Sequence, residues 1–390
     1  MTILYILIST DPFGGATKSF LVLLQGVLKA GIKAIVVVPD TNGITSTLHT
    51  MGAEVIIIPS KGCTWTGAKT FRQTILYIPR QLGRLWVDYN ACKRLYSTLK
   101  QRHIDIVHSN NTVTALGRYI ATKRNIPHIY HIREYGDKDF GLRYFPSNTA
   151  FHKYLKSDNV YSICITKDIQ LHHGLSQHKL STVIYNGIIQ DESGRHLVTT
   201  PRNYFLYAGR IEPTKGLLKL IIAYKAYVDS ITTALPLKVV GEVFDYTYMN
   251  KIEKYIRINN LQSLISFLGK QSDMPRYYEG AKAIIIPSEH EGFGRCMPEA
   301  MSHGCIVIGH NTGGTKEQFE NGYSETGQDI GFPYNTQEEL TKCLITVHKS
   351  EEQNLEKIRK NAYDTVCRLY SFNNNIQSTL DLYKTITNKK

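Results

Sequence analysis

The chain lacks the marks of several protein classes. Its seven cysteines are scattered, odd in number and without a C-x-x-C pair. That excludes a disulfide framework and a zinc ribbon and points to a reducing compartment. No apolar run reaches the roughly 20 residues that cross a bilayer. The opening decapeptide MTILYILIST has no basic start and no small-residue cleavage site. It reads as a first strand, not a signal peptide, and the expected location is cytoplasmic. The dinucleotide fingerprint G-x-G-x-x-G is missing. The stretch Gly14-Gly15-Ala16-Thr17-Lys18-Ser19 lacks the glycine before lysine that a P-loop needs. Short-period repeats and low-complexity segments are absent too. Acid is scarce: 33 Asp and Glu stand against 46 Lys and Arg, a formal net charge of +13.

Within 390 residues there is room for two or three domains, each with its own core. Apolar runs alternate with helical periodicity throughout, which implies βαβ units and mostly parallel sheets, an α/β fold. In the first half, strands are expected at Ile3 to Ser9, Lys33 to Val38, Glu54 to Ile58, Asp105 to His108, Pro127 to Ile132, Asn159 to Ile165 and Thr182 to Tyr185. Residues 191–203 are polar and aperiodic and read as a linker. The pattern restarts with strands at Tyr204 to Tyr207, Leu237 to Val240, Ile265 to Leu268, Ala283 to Ile286 and Cys305 to Ile308. The expected division is a first domain over 1–190, a second over 204–370, and a terminal helix over 371–390.

The positive charge is concentrated. Residues 61–103 hold nine Lys or Arg against one acid, Asp88. Ile75, Ile78, Leu82, Leu85, Tyr89, Cys92 and Tyr96 recur at helical spacing there. Such a stripe is partly core in most amphipathic helices. Trp65, Phe71, Tyr77 and Trp86 mingle with Arg72, Arg80 and Arg84, which suits an anionic membrane surface. No aromatic RNA-binding motif accompanies this charge, so nucleic acid is not expected as a partner.

The densest chemistry lies in Pro287 to Gly322, PSEHEGFGRCMPEAMSHGCIVIGHNTGGTKEQFENG. It follows one expected strand and spans the next. Open parallel sheets bind ligands at these carboxyl edges. Glu291 falls in a glycine loop and Glu299 in the helix that Pro298 helps to open. Their backbones are expected roughly 10 Å apart, too far for the carboxylate pair of a retaining glycosidase and suited to two ends of one elongated ligand. Arg210 and Lys215 follow the strand at Tyr204; they are either solvated surface cations or a grip on phosphate.

These residues carry a resemblance. SEHEGFGRCMPEAMSHG with Gly313-Gly314-Thr315-Lys316-Glu317, Gly209-Arg210 with Lys215-Gly216, and the Gly241 turn after Lys238-Val239-Val240 resemble the signature of family 4 glycosyltransferases. Val183-Ile184-Tyr185-Asn186-Gly187-Ile188 resembles the strand end before that family's linker. The match is strong over Tyr204 to Gly322 and weaker over residues 1–187. It departs where Gly304 is followed by Cys305-Ile306 instead of the usual proline.

The resemblance implies a GT-B fold: two Rossmann-like domains facing a central cleft, with the terminal helix crossing back to the first. It implies a retaining transferase using a nucleotide-sugar donor, a UDP-sugar ahead of a GDP-sugar. The acceptor is a hydroxyl on a glycan or lipid-linked glycan, as in bacterial surface polysaccharide assembly. Arg210 and Lys215 would stabilise the departing diphosphate. Glu291, with Gly292 and the amides of Phe293 and Gly294, would hold the sugar, and Glu299 the ribose. Gly209, Gly241, Gly269 and Lys270 would line the donor, the last two near the base. From the first domain come Gly15, at a glycine turn that equally reads as a plain strand-to-helix turn, and His131, which equally reads as a structural histidine. His108 is a second candidate, and Arg133 is left between a salt bridge and the acceptor. No cofactor and no divalent metal are expected to be required. Asp137-Lys138-Asp139 has the D-x-D form of a metal site but reads as solvated loop. Two other functions stay open: another GT-B enzyme such as a nucleotide-sugar epimerase, and a non-catalytic nucleotide-sugar-binding protein.

Overall fold

The computed structural model describes residues 1–66, 77–190 and 202–388. Arg72 and nearly all of the expected linker lie outside these. The chain divides into two compact units, Met1–Gly187 with Phe372–Lys390, and Ile188–Ser371.

The first unit is built on seven strands: β1 (Thr2–Ile6), β2 (Lys33–Val38), β3 (Glu54–Ile57), β5 (Ile106–Ser109), β6 (His128–Ile132), β8 (Val160–Cys164) and β9 (Ser181–Val183). Their order is β3-β2-β1-β5-β6-β8-β9, and every pairing is parallel. The apolar run of β1 has a simple cause. Side chains alternate between faces of a strand, and here both faces are covered. Ile3 and Tyr5 enter a core with Phe20, Leu23 and Leu24. Leu4 and Ile6 enter another with Leu95, Leu116 and Ile120. The terminal helix Phe372–Thr387 packs on helix Gly15–Lys29 and puts Tyr383 and Ile386 into the first of these cores. Gly26 makes that approach possible, because a Cβ there would lie 2.4 Å from Ile376.

Three local features refine the sequence reading. First, Thr64–Thr66 (β4) and Leu142–Tyr144 (β7) form an antiparallel ribbon. Trp65 lies in it, half-buried, with its ring edge-on to Phe145 at 5.7 Å. Second, the apolar stripe of helix Tyr77–Thr98 is core only in part, as its spacing suggested. Ile78, Leu82, Trp86 and Tyr89 are more than half exposed, while Ala91, Cys92 and Leu95 are buried. The helix carries two apolar stripes, and the sheet covers the one nearer its end. Asp88 is also buried, and its carboxylate accepts the Lys61 N–H at 2.6 Å. Third, Asp137–Phe140 is a helical turn and not a solvated loop. Asp139 accepts from the N–H groups of Tyr135 and Gly136 at 3.0 and 2.8 Å, and Asp137 pairs with His172 at 2.8 Å.

The second unit has six parallel strands: β10 (Tyr204–Ala208), β11 (Leu237–Val240), β12 (Ile265–Phe267), β13 (Ala281–Ile286), β14 (Ile306–His310) and β15 (Phe332–Tyr334). Their order is β12-β11-β10-β13-β14-β15. Both sheets therefore reverse direction once, between β1 and β5 and between β10 and β13. At such switch points the loops part and leave a crevice for ligand. Cys305, just before β14, is buried as a small core residue.

Candidate active site

In the second unit the loops leaving β10, β11, β13 and β14 lock together through their backbones. Gly209 N–H donates to Val240 O at 3.0 Å, and Gly241 N–H to Gly269 O at 2.9 Å. Glu289 N–H reaches Thr214 O at 3.1 Å, and Gly314 N–H reaches Glu291 O at 2.7 Å. Two glycines are obligatory in this lock. A Cβ on Gly241 would sit 1.8 Å from the Gly209 carbonyl oxygen, and one on Gly216 would sit 2.1 Å from that of Pro287. Both also have positive φ, +152° and +70°, which L side chains rarely adopt.

This lock sets charged side chains on either side of the β10/β13 switch point. Lys215, after β10, pairs with Glu291, after β13, at 2.6 Å, with side chains only 20% and 17% exposed. Arg295 pairs with Glu299 at 3.0 Å, and the Tyr278 hydroxyl reaches the other Glu299 oxygen at 3.3 Å. Arg210 meets Glu212 at 3.0 Å and lies over the Phe244 ring, 5.1 Å from its centroid. Lys270, after Gly269, faces Glu242 at 3.6 Å. Between the two glutamates runs the Gly292-Phe293-Gly294 loop. Phe293 is buried edge-on to Tyr370 at 5.4 Å, and its carbonyl accepts from the Gln318 amide. The loop is thus fixed from behind, with Gly294 at φ +73°. Ion pairs of opposite sign at a strand edge can exchange partners with a ligand bearing both phosphate and hydroxyl groups.

The first unit treats its strand ends differently. Gly15 opens helix Gly15–Lys29, with Gly14 as its N-cap. His131, near the end of β6, is buried. Its Nδ1 lies 3.2 Å from His108 Nε2 and 3.3 Å from an Arg133 nitrogen. His108 Nδ1 in turn meets the Tyr383 hydroxyl at 2.6 Å, and Tyr383 meets Tyr5 at 3.0 Å. Burial, helped by the Arg133 charge, pushes the His108 pKa down to about 3 and His131 well below the usual histidine range. Arg133 donates to the Asn110 and Asn186 side-chain oxygens at 2.9 and 2.8 Å. Glu134 beside it accepts from the Thr112 hydroxyl at 2.7 Å, and burial raises its pKa. Arg80, Arg84 and Trp86 lie apart from this network on helix Tyr77–Thr98, where Arg84 donates to Lys61 O at 2.7 Å.

Sequence reasoning missed three residues that shape these sites. Arg295 was legible, because Arg and Glu four apart on a helix pair readily. Gln318 had a weaker signal, one turn beyond Gly313-Gly314. Tyr383 had none, being one aromatic among many in an amphipathic terminal helix.

Two Rossmann-like units with a charged, glycine-locked strand edge define the class of nucleotide-handling α/β enzymes. The comparisons with known proteins make it more particular. The description "Glycosyltransferase Family 4" matches residues 13–192, and "Glycosyl transferases group 1" matches residues 189–365. An uncharacterised glycosyltransferase of Methanocaldococcus jannaschii is 28% identical over 264 residues, 65% of this chain and 70% of that protein. The UDP-Gal:alpha-D-GlcNAc-diphosphoundecaprenol alpha-1,3-galactosyltransferase of Escherichia coli is 23% identical over 326 residues, 76% of this chain and 79% of that one. Among solved structures, Anabaena HepE in complex with UDP and glucose superposes with a TM-score of 0.74 at 18% identity, covering 99% of this chain and 100% of that one. The chain belongs to glycosyltransferase family 4 and has the GT-B fold.

Proposed function

We propose that this glycosyltransferase moves a hexose from a UDP-sugar to a hydroxyl of a lipid-linked or glycan acceptor, with retention at the anomeric carbon, in bacterial surface glycan assembly. The observation that carries the reading is the Lys215–Glu291 pair, largely buried across the β10/β13 switch point. Its ammonium suits a diphosphate and its carboxylate suits adjacent sugar hydroxyls. The E. coli relative that uses UDP-Gal and a diphosphoundecaprenol-linked acceptor supports the donor and acceptor classes.

In this mechanism Arg210 and Lys215 stabilise the charge that grows on the leaving diphosphate, a contribution often the largest in catalysis. Glu291 and the Gly292–Gly294 loop hold the sugar, and Glu299 holds the ribose. The bond from the anomeric carbon to the diphosphate breaks, and the bond to the acceptor oxygen forms on the same face. The acceptor proton passes to the departing phosphate oxygen. With two cations assigned to the phosphates, transfer is expected to survive chelation of divalent metals. The first unit takes the acceptor. A panel of UDP- and GDP-sugars screened by thermal shift and then by transfer tests the reading, because a bound donor raises stability by mass action. Stabilisation by a UDP-sugar and transfer with an α-configured product support it. Binding of GDP-sugars alone, or an inverted product, overturns it.

We also read the exposed face of helix Tyr77–Thr98, with Ile78, Leu82, Trp86 and Lys93, as a seat on the anionic inner face of the plasma membrane. Among the described residues no helix is long and apolar enough to cross a membrane. Trp86→Ala is expected to weaken sedimentation with anionic vesicles several-fold; unchanged sedimentation contradicts the reading.

A further inference from the structure

Phe244, in the loop after β11, is 56% exposed. Single exposed apolar side chains are ordinary. This one is set apart by how its backbone is held beside a charge. Past the paired ends of β10 and β11 the chain continues as a short parallel zipper. Ile211 N–H donates to Glu242 O at 2.8 Å, Phe244 N–H donates to Ile211 O at 3.1 Å, and Ile211 bridges Val243. Ile211 is buried and anchors the zipper in the core. One residue further on, Asp245 caps helix Tyr246–Ile258, its side chain accepting from the Tyr248 N–H at 2.9 Å. Phe244 thus sits between a bridge and a helix cap, with its backbone held on both sides.

Arg210 is held from the neighbouring loop. The buried Tyr207 donates its hydroxyl to the Arg210 carbonyl at 2.8 Å. Residues two apart on extended chain share a face. Glu212 is extended, with φ −152° and ψ 158°, and its carboxylate meets the Arg210 guanidinium at 3.0 Å. The guanidinium lies over the Phe244 ring, 5.1 Å from the centroid. The two contacts differ in kind. Glu212 takes N–H donors, and a phosphate would compete for the same donors. The face of a ring attracts the cation and takes none of them. The ring contact can therefore persist when the carboxylate is exchanged.

We infer that Phe244 is a positioning residue of the donor site: its ring keeps the Arg210 guanidinium in place while that group exchanges Glu212 for a phosphate of the nucleotide. The inference rests on the reading of Arg210 as a grip on phosphate. An arginine side chain loses rotamer freedom when it is fixed on a ligand. A ring that holds it beforehand reduces that loss. Phe244 thereby adds to nucleotide affinity through Arg210, without touching the ligand itself.

The test is a double-mutant cycle on the full-length protein, with UDP binding read by titration calorimetry for wild type, Phe244→Leu, Arg210→Met and the two combined. Leucine keeps apolar bulk and removes the ring face. F244L is expected to weaken UDP about two- to fivefold, the size of one exposed cation–π contact. Phe244→Tyr keeps the ring face and is expected to bind UDP as the wild type does. In the R210M background, F244L should cost nothing further. A wild-type Kd in F244L overturns the inference, as does binding in Phe244→Tyr as weak as in F244L. An equal loss in the R210M background also overturns it, because the ring would then act on the nucleotide or on the fold and not through Arg210. R210M with a wild-type Kd would instead sink the assignment of Arg210 to the phosphates, on which the inference rests.

Discussion

The two units share one strand order around one switch point, yet they treat polarity in opposite ways. The first buries neutral rings. His108, His128, His131 and His173 are all buried, and among the described residues none of the second unit's histidines is. The second unit instead sets ion pairs at its strand edge, at Lys215–Glu291, Arg295–Glu299 and Arg210–Glu212. Neutral hydrogen-bonding groups keep their direction when a ligand arrives. Partly exposed ion pairs can trade partners with it. The comparison teaches that the same scaffold can supply either preorganised donors or exchangeable charge, depending on what its strand ends carry.

The largest expected effect removes one exchangeable charge. Lys215→Ala should lower kcat by about a hundredfold or more, the loss typical of one group that stabilises transition-state charge. The urea unfolding of the first unit should be unaffected. Steady-state transfer rates check this, and near-normal turnover would place the essential charge elsewhere.

A pH experiment separates the units next. The buried histidines have depressed pKa values, His108 and His128 at about 3 and His173 at about 4. The unfolded chain takes up protons on these rings near pH 6.5, whereas the buried rings of the folded first unit do not. Their contribution is thus fully present above pH 6.5 and is lost as pH falls toward 3 or 4. Hydrogen exchange at pH 7 and pH 5 should show the first unit losing protection before the second. Equal loss in both would contradict the contrast.

The smallest effect concerns the exposed helix of the first unit. A Cβ on Gly83 would meet nothing within 4 Å, so Gly83→Ala should stabilise this unit by about 0.5–1 kcal/mol through helix propensity alone. Thermal unfolding measures it, and destabilisation would show that the face is covered.

Much of this was legible in the sequence, for reasons that differ by region. The strands β1, β2, β11 and β13 were visible because parallel strands covered on both faces are continuous apolar runs. Gly241 was visible because the Gly209 carbonyl passes so closely that no side chain fits there, and Gly209, Gly292 and Gly294 were visible through the family signature. Glu291 and Lys215 were legible as a strand-edge pair only through the family signature, since they are far apart in sequence. The Tyr77–Thr98 helix was legible as partly core, but which of its apolar residues face the sheet was not, because its exposed stripe and its buried stripe are both apolar. Asp139 misled because its caps on Tyr135 and Gly136 are tertiary detail that a three-letter pattern does not encode. The Tyr5–Tyr383–His108–His131 file was out of reach, because it joins four elements that only the folded chain brings together.

On the proposed reading, the charged strand edge of the second unit grips the nucleotide. Hydrogen–deuterium exchange of the full-length protein with and without UDP tests it most directly. Added protection is expected at residues 209–216, 241, 269–271 and 291–299, abolished by Lys215→Ala at the same UDP concentration. Protection confined to the strand ends of the first unit, or unaltered by that substitution, would contradict it.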